Sequence, residues 1–179
     1  FVSPLIAETG GALPWNPAAD APVHVIALDE TAGRVYAGGD FGAVGGAARA
    51  GLAALSITSA AALPWSIDAA PGARVRALLR DGGLLHVGGE YSTGSRANLA
   101  AFELADAVPS AWNAQVNGEV RALALSPDGA RLYVAGAFVQ AGGEARSRIA
   151  GFRIENGVGE LMTWDPGGDS AIAAIDGLA

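Results

Sequence analysis

The chain has no cysteine, which excludes disulfide bonds, thiolate metal sites and a cysteine nucleophile. His24 and His86 are its two histidines, too few and too far apart for an HxH or HExxH metal motif, and no GxSxG serine elbow is present. No stretch approaches about 18 consecutive apolar residues, so we expect no membrane insertion. Its 11 basic and 18 acidic residues give a net charge of −7, which disfavours nucleic-acid binding.

The 179 residues are enough for one domain with a sizeable core. Half of them (51%) are hydrophobic, and the 26 glycines show no three-residue period, so the composition is neither disordered nor collagen-like. We therefore expect a single globular domain.

The strongest pattern is an internal repeat. Trp15, Trp65, Trp112 and Trp164 are separated by 50, 47 and 52 residues. Between them similar phrases recur in fixed order: VHVIAL, VRALL and VRALAL, then RVYAGGDF, LLHVGGEY and RLYVAGAF, then GLAAL, NLAAF and RIAGF. A period near 50 residues indicates a propeller or solenoid array.

Each phrase has the length and composition of a β-strand. Turn-forming sequences separate the first and second phrases of each unit: DETAG (29–33), RDGG (80–83) and SPDG (126–129). A fourth strand, GELMTW in the third unit, precedes the tryptophan. These features predict an all-β fold, an arc of a β-propeller with four-stranded antiparallel blades.

The predicted domain is one partial propeller spanning 1–179. It divides into a half blade (1–16), three complete blades (17–66, 67–113 and 114–165) and the first strand of a further blade (166–179), so partial blades lie at both ends. A ring cannot close with these strands alone. We expect a fragment of a larger propeller or an arc docked on another protein, with self-association as the third solution.

Residues that recur in every unit are predicted to be structural. The glycines in the second strand, Gly38, Gly39, Gly88, Gly89 and Gly136, permit close approach of neighbouring blades or a bulge. The four tryptophans are favoured as core between blades over a ligand-stacking role. Arg49, Arg96 and either Arg146 or Arg148 are expected to tie loops through carbonyl bonds or salt bridges.

The sequences YAGGDFGAVGGAARAGLAAL (36–55) and SPDGARLYVAGAFVQAGGEARSRIAGF (126–152), with WNP (15–17) and WDP (164–166), resemble the bacterial delta-60 β-propeller repeat. This Kelch-like repeat occurs in secreted and cell-surface proteins of unknown function. The resemblance implies a propeller fold and an extracellular, periplasmic or cell-surface location. The second unit departs from the pattern, with STGS (92–95) in place of the longer loop and His86 in place of Tyr36 and Tyr133.

Six acidic residues in or beside the loops are the candidate ligand-binding residues: Asp20, Asp40, Asp68, Glu90, Asp165 and Asp169. The loop between strands two and three and the loop that enters the next blade leave an antiparallel blade on one side, so these acids predict an acidic face. Solvated loop acids are the simpler interpretation. We predict no cofactor. Calcium is the ion that the 165–169 loop would suit, but no DxDxDG motif is present.

The function predicted from these features is a non-catalytic interaction or scaffold module that binds a protein partner, or further blades, through its loop face or open blade edges. The alternative is a carbohydrate-active or other hydrolytic propeller that uses two loop carboxylates. A third hypothesis is a purely structural part of a larger assembly.

Overall fold

The computed structural model describes residues 14–94, 96–155 and 157–168. These residues form β-strands and no helix, which confirms the all-β prediction. The strands belong to three antiparallel sheets and two short hairpins.

The first sheet has the order β1-β2-β5 and the second β6-β7-β8, and the third, of four strands, has the order β14-β13-β10-β9. Their bounds are β1 Val23–Asp29, β2 Arg34–Gly39, β5 Leu52–Ser56, β6 Arg74–Asp81, β7 Leu84–Ser92, β8 Ala97–Glu103, β9 Val120–Leu125, β10 Arg131–Gly136, β13 Ile149–Glu155 and β14 Val158–Leu161. The hairpins are β3 (Ala43–Val44) with β4 (Ala47–Ala48), and β11 (Gln140–Ala141) with β12 (Glu144–Ala145).

The predicted fourth strand is regular only in the third sheet, where it ends at Leu161 and not at the tryptophan. In the first two units it is reduced to single bridges, Leu55 with Ala62 and Phe102 with Pro109. Pro64 and Pro109 lie in these segments and have no N–H to donate to a ladder, whereas Val158–Leu161 contains no proline. The prediction of four strands in every unit was therefore wrong for two of the three sheets.

The glycine pairs allow two close approaches. A side-chain carbon on Gly38 or Gly88 would lie 2.6 or 2.7 Å from the valine of the next sheet, Val75 or Val120. On Gly39, Gly89 or Gly136 it would lie 2.0 to 2.2 Å from a backbone carbonyl oxygen at the start of the partner strand or one residue before it. Gly39 and Gly136 end their strands, whereas the sequence predicted them inside the strand.

The first strand of each sheet has a β-bulge near its partner glycine, which is Gly39, Gly89 or Gly136. The register shifts lie between Val23 and Val25, between Val75 and Ala77, and opposite Ala135 and Gly136. The extra residues are His24, Arg76 and Arg121. A bulge redirects the side chain of its extra residue, so one histidine and two arginines are placed alike.

The sheets pack against one another in chain order, with β6 in contact with both β1 and β9. One core cluster, which includes Tyr36, Trp65 and Phe102, joins the first sheet to the second. Another, with Trp112 and Phe152, joins the second to the third. A further cluster packs on the first sheet around Trp15 and Phe41.

Each sheet is contacted by the tryptophan that precedes it in the chain, and Trp65 and Trp112 also contact the preceding sheet. The indole N–H of Trp15 donates to the Ser56 carbonyl at 2.9 Å, and that of Trp65 donates to the Glu103 carbonyl at 3.0 Å. Trp112 packs edge-on against Phe152 of the third sheet, with ring centroids 5.1 Å apart. These three tryptophans are 4–9% exposed.

Trp164 differs from the predicted core role because 40% of its surface is exposed. It packs edge-on against Tyr133 of the sheet that precedes it, with ring centroids 5.5 Å apart. Among the described residues no further sheet follows to cover its other side.

Replacing Gly89 with alanine should destabilise the chain by about 1–3 kcal/mol, because the added carbon would overlap the Arg74 carbonyl oxygen, 2.1 Å away. Gly83 is the matched control, since an added carbon there meets no atom within 4 Å. Denaturant unfolding of both variants measures the difference. Equal stability of the two variants would contradict the close approach.

Candidate functional site

The loops that carry the predicted acids lie on one side of the sheets. The segment entering the first sheet bonds to the β3–β4 hairpin, where the Gly45 N–H donates to the Pro17 carbonyl. In the third unit the Gly142 N–H of the β11–β12 hairpin donates in the same way to the Ala114 carbonyl. The entering loops and the hairpins therefore form one surface, which we call the loop face.

Two of the predicted acids accept hydrogen bonds from loop backbone. Asp20 Oδ1 accepts from the N–H groups of Gly42 and Ala43, at 2.9 and 3.1 Å, and so anchors the first hairpin. Asp165 Oδ1 accepts from the Gly167 N–H at 3.2 Å, which closes a turn after Trp164. Both carboxylates serve the loop conformation.

Asn117 holds the position of Asp20 in the third unit, and Asn113, which follows Trp112 as Asp165 follows Trp164, holds the position of Asp165 in the second unit. Asn117 Oδ1 accepts from the N–H groups of Val139 and Gln140, and Asn113 Oδ1 from that of Gln115. An amide replaces a carboxylate here, so each position requires an acceptor oxygen and not a negative charge.

Asp68 is the predicted acid whose carboxylate has neither hydrogen bond nor ion pair within the described residues. Its φ of 48° lies in the left-handed region, and it helps line a cleft of about 400 Å³ between the first two units. Asp169 lies outside the described residues.

The remaining two acids, Asp40 and Glu90, are paired with arginines. Arg74 Nη1 lies 3.5 Å from Glu90 Oε2, and both side chains are more than half exposed. Asp40 belongs to a larger network with the three bulge residues. Of the acids predicted to form an acidic face, Asp40 and Glu90 are therefore paired with arginines where the first strands begin.

In this network basic and acidic side chains alternate across the three sheets. His24 Nε2 lies 2.9 Å from Asp40 Oδ2, and Arg76 Nη1 lies 3.4 Å from Asp40 Oδ1. Arg76 Nε donates to Glu119 Oε1 at 3.1 Å, and Arg121 Nε donates to Glu119 Oε2 at 2.7 Å. We call these five residues the bulge network. His24, Arg76, Glu119 and Arg121 line a shallow cleft of about 290 Å³.

The network keeps its carboxylates ionised. Burial alone would raise the pKa of Asp40, but the hydrogen bond from His24 and the charge of Arg76 hold that pKa below its ordinary value. Burial also opposes ionisation of Glu119, and hydrogen bonds from Arg121 and Arg76 outweigh it, so the pKa of Glu119 is lowered. A glycosidase-type general acid needs a raised pKa, which neither carboxyl has.

Sequence reasoning missed Glu119, Arg76 and Arg121. Aligning the three first strands on their glycine partners would have placed His24, Arg76 and Arg121 at one position. The bulge itself, which gives this position its common direction, has no reliable sequence signal beyond the glycine opposite it.

The recurrent arginines bind carbonyl oxygens within their own units. Arg49 Nη2 donates to Leu63, Arg96 Nη2 to Ser110 and Arg146 Nη2 to Met162, at 2.9 to 3.1 Å. Arg146, not Arg148, is therefore the third member. Arg148 donates to the Gly168 carbonyl at 2.9 Å, as Asn98 donates to the Val116 carbonyl.

The exposed side of the third sheet is the second candidate surface. Trp164 and Tyr133 lie on it, where the first two sheets have Trp65 on Tyr36 and Trp112 on His86. We call this surface the open face. Trp164 and Tyr133 are the counterparts of the residues that join the earlier sheets to one another. Among the described residues, no further sheet follows to pack against them.

Within the part of the chain that the structure describes, no three His, Asp or Glu side chains are grouped to hold a metal ion. The same residues include no helix of the length and apolar character needed to cross a membrane.

No protein-family model matches the chain, and no curated protein matches it. A chain of the solved structure described as "Crystal Structure of Mitotic Checkpoint Complex" aligns with 96% of this chain and 73% of its own length. The alignment has a TM-score of 0.43 and 13% sequence identity, a likeness too distant to carry an argument.

Arg76→Gln should weaken the acid dependence of stability. Because the pKa values of Asp40 and Glu119 lie below their ordinary 3.8 and 4.5, the pairs stabilise the fold above these values and are lost as pH falls further. The variant should lose on the order of 1 kcal/mol at pH 7 and show a shallower decline on acidification. Denaturant unfolding from pH 7 to pH 3 measures both.

Arg74→Gln is the control, since it removes one exposed pair and should change stability by less than about 0.5 kcal/mol. If Arg76→Gln and Arg74→Gln behave alike, the bulge network does not stabilise the chain.

Proposed function

We propose that this chain is a non-catalytic interaction and scaffold module built as an arc of a β-propeller. Three sheets in sequence order, with their first strands side by side, support this arrangement. The same tryptophan and glycine contacts join the first sheet to the second and the second to the third, as expected for successive blades. The proposal includes kinship with the delta-60 repeat and an extracytoplasmic location, for which the sequence resemblance is the support.

The open face is the observation that carries the proposal. Trp164 repeats the position of Trp65 and Trp112, which pack against the sheet that follows, yet 40% of its surface is exposed. Tryptophan and tyrosine, which meet on this face as Trp164 and Tyr133, are enriched among the residues that carry binding energy at protein interfaces. A protein partner, or a further sheet of the same repeat, would cover it.

The loop acids support a non-catalytic role. Asp20 and Asp165 bond to loop backbone, and Asp40 and Glu90 are paired with cations. Acids engaged in this way stabilise loops, and Asp40, whose pKa is lowered, is a poor proton donor near neutral pH.

Trp164→Ala should cost about 1 kcal/mol or less in unfolding free energy, because the side chain is partly exposed. Trp112→Ala should cost about 3–5 kcal/mol, because its buried ring joins two sheets. Denaturant unfolding of the two variants tests whether position 164 is free for binding. A loss at Trp164 as large as that at Trp112 would contradict a free open face.

Binding itself is tested by placing a photo-crosslinking phenylalanine at position 164 in the full polypeptide in its native cells. We expect a cross-linked protein at this position and none at Ile57, a control with 39% exposure. Mass spectrometry then identifies the partner as another protein or a further repeat. Absence of a specific adduct at position 164 would overturn the proposed interaction.

A further inference from the structure

His86 is a buried polar side chain without a hydrogen-bond partner. It lies in β7, the middle strand of the second sheet, and is 1% exposed. Neither ring nitrogen makes a hydrogen bond. Leaving a polar atom buried and unpaired costs about 1–3 kcal/mol, so the site is an unfavourable place for a histidine.

The other two units have tyrosine at the same position. Tyr36 lies opposite Ala27 and Ala54, and His86 lies opposite Leu79 and Ala101 in the same register. Tyr133 holds the position in the third sheet. Only the second unit therefore has a group at this position that changes charge near neutral pH.

His86 also supports the contact between the second and third sheets. Its ring packs edge-on against Trp112 with centroids 5.9 Å apart, and Trp112 packs in turn against Phe152 of the third sheet. A movement of the imidazole would change the support of Trp112, whose side chain is a central part of this core cluster.

Among the described residues, Asp81 is the charged group that acts on His86. Asp81, at the end of β6, has Oδ2 3.7 Å from His86 Nε2 and is 29% exposed, on the way to solvent. The neighbour of His86 in β8 is Ala101, and its neighbour at the contact between the second and third sheets is Trp112. Neither residue carries a charge. Burial lowers the pKa of His86, and Asp81 opposes this effect only in part.

We propose that His86 is an acid-sensitive latch between the second and third sheets. The neutral ring packs against Trp112 above pH 6.5. The protonated ring is poorly accommodated among apolar neighbours and moves toward Asp81 and water, which loosens Trp112 against Phe152. The core between the first and second sheets has Tyr36 packed on Trp65 in this place, and His24 lies outside that core, partly exposed and paired with Asp40, so these sheets stay closed. This inference is independent of the proposed interaction at the open face.

The direction of the pH effect follows from proton binding to His86 when the contact between the second and third sheets, here called the joint, is closed and when it is open. An opened joint exposes His86, which then takes up a proton near its ordinary pKa of 6.5, whereas the closed joint takes one up only at lower pH. Acidification below 6.5 therefore favours opening, by up to about tenfold per pH unit until the closed joint also protonates.

Amide hydrogen exchange at pH 7 and pH 5, corrected for intrinsic rates, tests the latch on the full chain. Peptides from β8 and β13 should open about tenfold more at pH 5, while peptides from β2 and β5 should change little. Equal responses of the two joints would overturn the proposal, because they would report general acid unfolding.

Variants at position 86 supply the matched controls. His86→Tyr restores the residue of the other units and should abolish the acid response. If the larger tyrosine side chain does not fit, His86→Phe should abolish the response instead, because phenylalanine also has no group that takes up a proton. Asp81→Asn should leave the onset of opening near pH 6.5 and extend the acid response to lower pH, because it removes the charge that favours the imidazolium in the closed joint. Persistence of the acid response in both His86→Tyr and His86→Phe would show that another group is responsible.

Discussion

The structure depends on the burial of one indole ring between each pair of successive sheets. A sheet of three or four strands has two faces to cover and little stability alone. One buried tryptophan removes about 200 Å² of apolar surface from water, equivalent to about 5 kcal/mol before entropic costs. The indole N–H of Trp65 and the backbone carbonyl it binds then fix the angle and register at which the next sheet packs.

The other repeated features follow from this packing. Sheets joined so closely leave no room for side chains where Gly38 and Gly88 face the valine of the next sheet. The second glycine of each pair lets the first strand bulge, and the bulge turns His24, Arg76 and Arg121 toward the acids between them. The ion pairs are therefore a consequence of the sheet geometry. They add to stability at neutral pH, where their carboxylates are ionised.

The sequence predicted the elements well and their interactions less well. Apolar phrases between turn signals identified the strands, because strand length and alternation are local properties. The prediction of a fourth strand was wrong in two units because a proline there has no backbone N–H to donate to a neighbouring strand. The proline is visible in the sequence, but the prediction rested on the repeat and did not take it into account. The acids were predicted as ligands from their loop positions, but Asp20 and Asp165 hold backbone N–H groups. The bulge network joins residues as far apart as His24 and Arg121, a proximity that only the packing of sheets creates.

The most direct test of this account is the exchange of the indole N–H protons with solvent, observed by nuclear magnetic resonance. Trp15 and Trp65 are buried and donate to carbonyls of the sheets that follow them, whereas Trp164 lies on the open face with 40% of its surface exposed. The account predicts slow exchange for Trp15 and Trp65, comparable to core amides, and fast exchange for Trp164. Fast exchange at Trp65, or protection of Trp164 equal to that of Trp65 in the isolated chain, would contradict it.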